Sequence, residues 1–382
     1  MATVLVVAGE ASGDLHAAHV IKEMKKLHSE LNFIGLGGDK MAEAGVDIIF
    51  DPTELSTIGF VEALKHLRLM YKVLNQLEEV IKEYKPDVAL LVDYSGFNLK
   101  VAKLTNKYEV PTVNYFAPSA WVWGKWRAKK MARRQAKIAS VFPMEAEVYR
   151  EAGAEVNFVG HPLLDIVEPE LTSEELACRL NINSDSEVIG ILPGSRKQEI
   201  EKLLPSMLEA AEIIAAKRKK VEFVLPVAET VSQQLVERII NNYQVEIKLI
   251  SGYSYAVMEL ARLLLVTSGT ATLEAACLNT PMVITYRTSL LTWWLGKLLV
   301  KIPYVGLPNI IMDREVVPEQ LQEDVSGDKI AKSSLEILNS DNYYQQIKQD
   351  LSQVVTKLGN EGATQRVAQM VLKTGGVTID WN

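Results

Sequence analysis

Cysteine is nearly absent: Cys178 and Cys277 are the only two in 382 residues. They lie far apart, and neither has a histidine or second cysteine at ligand spacing. This argues against a disulfide framework or a zinc site and fits a reducing compartment. Both cysteines are expected to pack as small apolar groups. Positive charge is in deficit, with 41 Lys and Arg against 48 Asp and Glu and a formal net charge of -7. No overall positive field attracts nucleic acid, which is not expected as a partner. Long apolar runs are missing too: no uncharged stretch reaches the ~18 residues of a spanning helix. Met1 leads almost directly into strand-like sequence, with no basic n-region or long h-region, so no signal peptide is expected. The resulting expectation is a cytoplasmic protein that can still touch a membrane.

Apolar sequence is plentiful, 48% of residues against 23% charged, so the chain should be globular. Its length suits two domains, each able to bury most of its apolar surface. TVLVVAG reads as a buried strand, and HAAHVIKEMKKLH after it has helical apolar spacing. LNFIGLGG, PDVALLVD and VPTVNYFAP are further short apolar runs separated by helical or loop sequence. That alternation is the pattern of a parallel sheet with crossover helices. A polar, proline-bearing stretch places a boundary near Pro162 to Ser184, and the alternation restarts with EVIGILPGSR, VEFVLPVAE, VEIKLISG, RLLLVTSGT and TPMVITYR. The fold class expected is α/β, with one Rossmann-like doubly wound domain over 1–170, a second over 171–345 and C-terminal amphipathic helices in 346–382. Two such domains imply a cleft, with ligands at the carboxyl ends of the strands.

The residues with usable chemistry follow those strands. VTSGTATLEAA sets Ser268, Gly269 and Thr270 at a strand-to-helix turn, where free N–H groups and the helix dipole receive a phosphate. Glu274, about one turn on, is placed to accept hydrogen bonds from ribose hydroxyls; an ordinary capped helix is the rival reading. In LPGSRKQEI, Gly194 permits a tight backbone before Ser195, and Arg196 offers a guanidinium suited to bidentate phosphate binding. Asp93 ends an otherwise apolar strand in PDVALLVDYSGFN and is a general-base candidate or an N-cap. Asn98 in the same stretch reads as holding the loop. His161 in VGHPLLD is either a cleft residue or a hinge hydrogen bond.

The first loop, VVAGEASGDL, has neither the lysine of a P-loop nor the three spaced glycines of a dinucleotide fingerprint. Gly9 and Gly13 are expected to let the backbone approach a ligand, Ser12 or Asp14 to cap the following helix, and Glu10 to project into the cleft. His16 and His19 have helical spacing but no third ligand, so no metal is assigned. Aromatic and basic residues interleave in SAWVWGKWRAKKMARR, with Trp121 and Trp123, and in LLTWWLGKLLVKIPYVGL, with Trp293 and Trp294. They pack in a core or dock on an anionic lipid surface; together they point to an amphiphilic substrate.

AGEASGD, GFVEAL, VDYSGFN, APSAWVW, FVGHPLLD, LPGSRKQEI, SGTATLE, PMVITYR and LPNIIMDREVVPEQLQ, in that order, make the chain similar to the bacterial lipid A disaccharide synthases over nearly its whole length. The resemblance implies a GT-B glycosyltransferase: two Rossmann-like domains facing a central cleft, with C-terminal helices packing back toward the N-terminal domain. It implies an acceptor side with the base in the first domain and a UDP-sugar donor side in the second. UDP-2,3-diacylglucosamine and 2,3-diacylglucosamine 1-phosphate are joined into a β(1→6) disaccharide with release of UDP and inversion at the donor carbon. By this resemblance Asp93 is the base. Gly194, Ser195, Arg196, Ser268, Gly269 and Thr270 hold the diphosphate, Glu274 the ribose, and Asn309 and Gln322 lie on the donor side. Glu10, Ser12, Asn98 and His161 line the acceptor side. Ser95 and Gly96 stand where many members have a proline and an acidic residue.

No Asp-x-Asp metal motif occurs in the cleft loops, and no cofactor is expected. Peripheral attachment to the inner membrane is expected through Trp293 and Trp294 or the Leu64 to Leu74 helix, and a homodimer stays open as an assembly. Two other functions fit parts of the sequence: a UDP-sugar 2-epimerase of the same fold, and a noncatalytic peripheral lipid-binding protein.

Overall fold

The computed structural model describes residues 2–52, 63–118, 120, 125–289 and 303–379. Contacts divide the chain into two compact units, residues 1–165 with 358–382 and residues 166–357. Each is built on one parallel sheet.

The first sheet has strands β1 (Ala2–Ala8), β2 (Leu31–Leu36), β3 (Asp47–Phe50), β4 (Val88–Val92), β5 (Thr112–Tyr115), β6 (Lys137–Ser140) and β7 (Val156–Phe158) in the order β3-β2-β1-β4-β5-β6-β7. Helices α1 (Ala11–Leu27), α2 (Asp39–Glu43), α3 (Ala63–Tyr84) and α4 (Ser95–Lys107) connect its first strands. Alternate residues of β1 feed opposite faces, as strand pleating requires. Val4 and Val6 pack with Ala17, Ile21 and Met24 of α1, while Leu5 and Val7 pack with Val73, Leu77 and Ile81 of α3. Both faces are covered, so the central strands are continuous apolar runs.

The helix Ala363–Thr374 completes the first face: Val367, Ala368 and Val371 join the β1 and α1 cluster. The other C-terminal helix behaves differently from the sequence-based division at 346. Asp341–Lys357 packs on the helices 271–277, 307–312 and 327–338 and belongs to the second unit. Its Asp350 carboxylate takes both Arg314 terminal nitrogens, at 2.9 and 2.7 Å, so residues 346–357 stay with the second sheet and only 358 onward returns to the first unit.

The second sheet has strands β8 (Glu187–Leu192), β9 (Val221–Val227), β10 (Ile247–Ser251), β11 (Leu263–Thr267), β12 (Met282–Tyr286) and β13 (Glu319–Leu321) in the order β10-β9-β8-β11-β12-β13. In both sheets the strand order reverses beside the first strand in sequence. Loops diverge there at the carboxyl ends and leave room for a ligand. Among the described residues, no helix is long and apolar enough to cross a membrane.

Candidate functional site

Asp93 leaves the carboxyl end of β4, between the ends of β1 and β5. Its N–H donates to the Tyr115 carbonyl at 3.3 Å, and its backbone sits at φ 35°, a left-handed conformation uncommon outside glycine. The Ser12 hydroxyl donates to its Oδ2 at 3.0 Å. Burial raises the Asp93 carboxyl above the usual carboxylate range, with the Ser12 hydrogen bond opposing.

In the first loop neither expected side-chain cap of α1 is made, and both glycines stand against other residues of the chain. A Cβ on Gly9 would lie 2.0 Å from Cγ of Tyr94, and one on Gly13 would lie 3.3 Å from Cβ of Asp93. Both glycines make space for the protein's own residues at and beside Asp93. Asp14 does not cap α1. It lies inside that helix, and its buried carboxylate accepts from the N–H groups of Gly38 (2.8 Å), Lys40 (2.9 Å) and Met41 (3.1 Å), closing the start of α2. Ser12 does not cap α1 either, its hydroxyl being engaged by Asp93. Glu10 is the exposed residue ahead of that helix.

Asn98 is buried in the first turn of α4, and both polar atoms of its amide lack a hydrogen-bond partner, so it does not tie down the loop by its side chain. His161 is also buried. Its Nδ1 accepts from the Leu163 N–H at 3.2 Å, and its own N–H donates to the Leu358 carbonyl at 2.9 Å, fastening the returning segment. Burial, then His16, lowers His161 to about 3, so it is neutral at physiological pH. His16 stacks on Phe116 with ring centroids 4.5 Å apart, and burial with His19 lowers it to about 4.

In the second unit, one cavity of about 550 Å³ opens at the carboxyl ends of the strands. Residues predicted from two stretches some 70 positions apart line it together: Gly194, Ser195 and Arg196 after β8, and Ser268, Gly269, Thr270 and Glu274 after β11. Gly194 needs its glycine, having φ 112° and the Glu199 carboxylate 2.4 Å from where a Cβ would stand. A Cβ on Gly269 would meet nothing within 4 Å, so that face of the turn is open. The helix Ala271–Cys277 begins just past Thr270, and the N–H groups of Thr272, Leu273 and Glu274 already bond back to the Gly269 and Thr270 carbonyls, so the unclaimed donors of this helix start lie at its very beginning. Ser268 spends its hydroxyl on the Val305 carbonyl at 3.0 Å and its N–H on the Thr285 carbonyl at 2.9 Å, so the turn's donor set is the N–H groups of Gly269 and Thr270. Burial pushes Glu274 up to about 7.

Arg196 is exposed but partnered: its side chain is 80% exposed, with Nη1 3.2 Å from Glu199. The other Glu199 oxygen accepts from the N–H groups of Ser195 (3.1 Å) and Arg196 (3.2 Å). Glu199 therefore occupies donors that an anionic ligand would use. Sequence reasoning missed it, although a glutamate three residues past a helix start is a capping signal.

Two predicted donor-side residues do not line the cavity. Asn309 is fully buried, with its amide used by Val316, Val317 and Glu319. Gln322 is buried as well, and its amide, in the orientation that satisfies both ends, pairs with the Thr288 backbone at 3.0 and 3.1 Å. The family resemblance puts both on the donor side; here their side chains are turned inward and satisfy backbone groups. Trp121, Trp123, Trp293 and Trp294 lie outside the described residues. Among the described residues, no group of three His, Cys, Asp or Glu is placed to hold a metal ion.

A family model described as lipid-A-disaccharide synthetase matches residues 4–374. The chain is 36% identical over 376 residues to a lipid-A-disaccharide synthase of Geobacter sulfurreducens, covering 98% of each, and 37% identical over 369 residues to one of Nitrosococcus oceani, covering 97% of this chain and 95% of the relative. Among solved structures, a UDP-GlcNAc 2-epimerase from Neisseria meningitidis bound to UDP-GlcNAc is similar with TM-score 0.64 and 14% identity, covering 97% of this chain and 100% of that one. MurG of Acinetobacter baumannii is similar with TM-score 0.61 and 12% identity, covering 98% and 100%. At these identities the solved structures show the fold, that of GT-B glycosyltransferases and UDP-GlcNAc 2-epimerases.

Proposed function

The chain belongs to the lipid-A-disaccharide synthetase family, and from that membership we propose how its residues divide the work of a glycosyl transfer. The activity is that of the family, formation of the lipid A disaccharide, rather than epimerisation or lipid binding alone. The substrates proposed are UDP-2,3-diacylglucosamine as donor and 2,3-diacylglucosamine 1-phosphate as acceptor.

Asp93 takes the proton from the acceptor 6-hydroxyl as that oxygen attacks the anomeric carbon of the donor. The bond from that carbon to the UDP oxygen breaks, UDP leaves with the electron pair, and attack opposite an α-linked leaving group gives the β product. Burial of Asp93 raises its basicity toward that needed to accept a proton near neutral pH. Negative charge growing on the diphosphate is met by Arg196 and by the N–H groups of Gly269 and Thr270, donors held in place before the reaction. Glu274 accepts from the ribose hydroxyls.

The observation that carries this reading is the assembly of residues 194–196, 268–270 and 274 around one cavity. It is tested by incubating the protein with both acylated substrates and assaying disaccharide and UDP. Asp93→Asn should abolish transfer while UDP still binds, and retained turnover removes Asp93 from the mechanism. Peripheral membrane contact is proposed through α3, whose Tyr71 is 58% exposed with Lys100 4.5 Å from its ring centroid. Failure to sediment with anionic vesicles at low salt removes that proposal.

A further inference from the structure

The first loop touches the reaction through the base. Three of its residues meet Asp93 or the Tyr94 that follows it, and a fourth fixes helix α1. The Ser12 hydroxyl reaches Oδ2 at 3.0 Å. Gly13 lets α1 approach until a Cβ there would stand 3.3 Å from Cβ of Asp93. Asp14 locks the start of α1 to α2 through three backbone N–H groups. Gly9 makes room for the ring of Tyr94, the residue after the base. Asp93 itself sits at φ 35°, a conformation that a non-glycine residue keeps only where its surroundings over-determine it.

We propose that this loop is a bracket for the base and that Ser12 is its positioning residue, occupying Oδ2 so that Oδ1 is presented to the acceptor hydroxyl. The inference rests on the reading of Asp93 as general base. Other ionisable groups on the surrounding elements are Glu10 just ahead of α1, His16 of α1, Tyr94 beside the base and Tyr115 on β5. Lys100 of α4 lies over Tyr71, and Arg366 of the helix 363–374 is bound to the carbonyls of Val159, Asn360 and Glu361. Burial lowers His16 to about 4 and raises both tyrosines, so all three are uncharged near pH 7. The Ser12 hydroxyl is left as the interaction that opposes burial at Asp93.

A hydrogen bond donated to a carboxylate favours its ionised form, so its loss should raise the pH at which the base becomes active. In Ser12→Ala the acid limb of the kcat/KM profile should move up by about one pH unit, the size of one hydrogen bond to a charged group. The donor KM should stay unchanged, and Ser12→Thr, which keeps the hydroxyl, should restore the limb. A limb that does not move in Ser12→Ala, or that moves as far in Ser12→Thr, overturns the proposal, whatever happens to kcat. A readout without turnover is the Asp93 carboxyl titration, followed as the infrared difference between each Ser12 variant and its Asp93→Asn counterpart. An upward shift in Ser12→Ala supports the bracket; a titration that stays in place overturns it and leaves the base assignment intact. If Asp93→Asn turns over at the wild-type rate, the reading of the base fails instead.

Discussion

Asn309 and Glu319 are joined side chain to side chain, the amide Nδ2 donating to Oε1 at 2.8 Å. The same carboxylate accepts from the N–H groups of Val305 and Gly306, both at 2.9 Å, and the amide oxygen accepts from Val316 and Val317 at 2.7 and 3.0 Å. The pair thus satisfies four backbone donors where the chain enters and leaves the helix Leu307–Met312. Buried donors left unmade cost far more than a made bond contributes. Asn309→Ala should therefore lower stability by about 3 kcal/mol, read as a fall in denaturation midpoint. A melt within a degree of wild type would contradict this structural role.

Arg196 should act on the donor. With its guanidinium 80% exposed and paired to Glu199 at 3.2 Å, Arg196→Ala should raise the donor KM by about tenfold, the loss of one charge-assisted contact, with little change in the acceptor KM. Glu199→Gln should have the opposite sign, tightening the donor several-fold by removing a competing negative charge at the Ser195 and Arg196 N–H groups. Donor titrations of the two variants that move in the same direction would refute the competition.

Donor binding should depend on pH through Glu274. Burial holds its carboxyl up to about 7, and only the ionised form can accept from two ribose hydroxyls. The sign follows: as pH falls through 7 the acceptor is lost and the donor KM rises, by about tenfold between pH 8 and 6 for one group of that pKa. Glu274→Gln should bind the donor more weakly at pH 8 and flatten the dependence. An unchanged slope would assign the titration to another group.

Gly9→Ala should be destabilising out of proportion to one methyl, since Cβ would fall 2.0 Å from the Tyr94 ring. Overpacking of this kind costs about 1–3 kcal/mol. In a Tyr94→Ala background the same substitution should cost much less, and a double-mutant cycle measures the difference. Equal costs in both backgrounds would show that Gly9 serves something other than the ring.

Much of the fold was legible because central strands buried on both faces must be apolar throughout: β1, β4, β8 and β11 are each visible as uninterrupted runs in the sequence. The strands that escaped notice were β3, β6, β7 and β13, three or four residues each, too short to establish a period. At the candidate site, the expected residues that do line one cavity are those placed by local geometry, such as the turn at 268–270, where sequence neighbours make the shape. Those misread depend on partners that sequence spacing does not reveal. Asp14 looked like a cap for its own helix but serves residues 24 to 27 positions later. Gly9 answers to Tyr94, and the role of Asn309 follows from loops that converge only after folding.

The helix Ala363–Thr374 fills the apolar face over β1, β4 and β5, yet it is made more than 200 residues after β7. Domains commonly mature in the order of their synthesis, and this chain inverts that order. The second sheet can be finished on the ribosome while the first still waits, greasy side exposed, for its closing helix. A nascent chain halted before residue 363 should therefore hold a protease-resistant second unit and a first one dependent on chaperones.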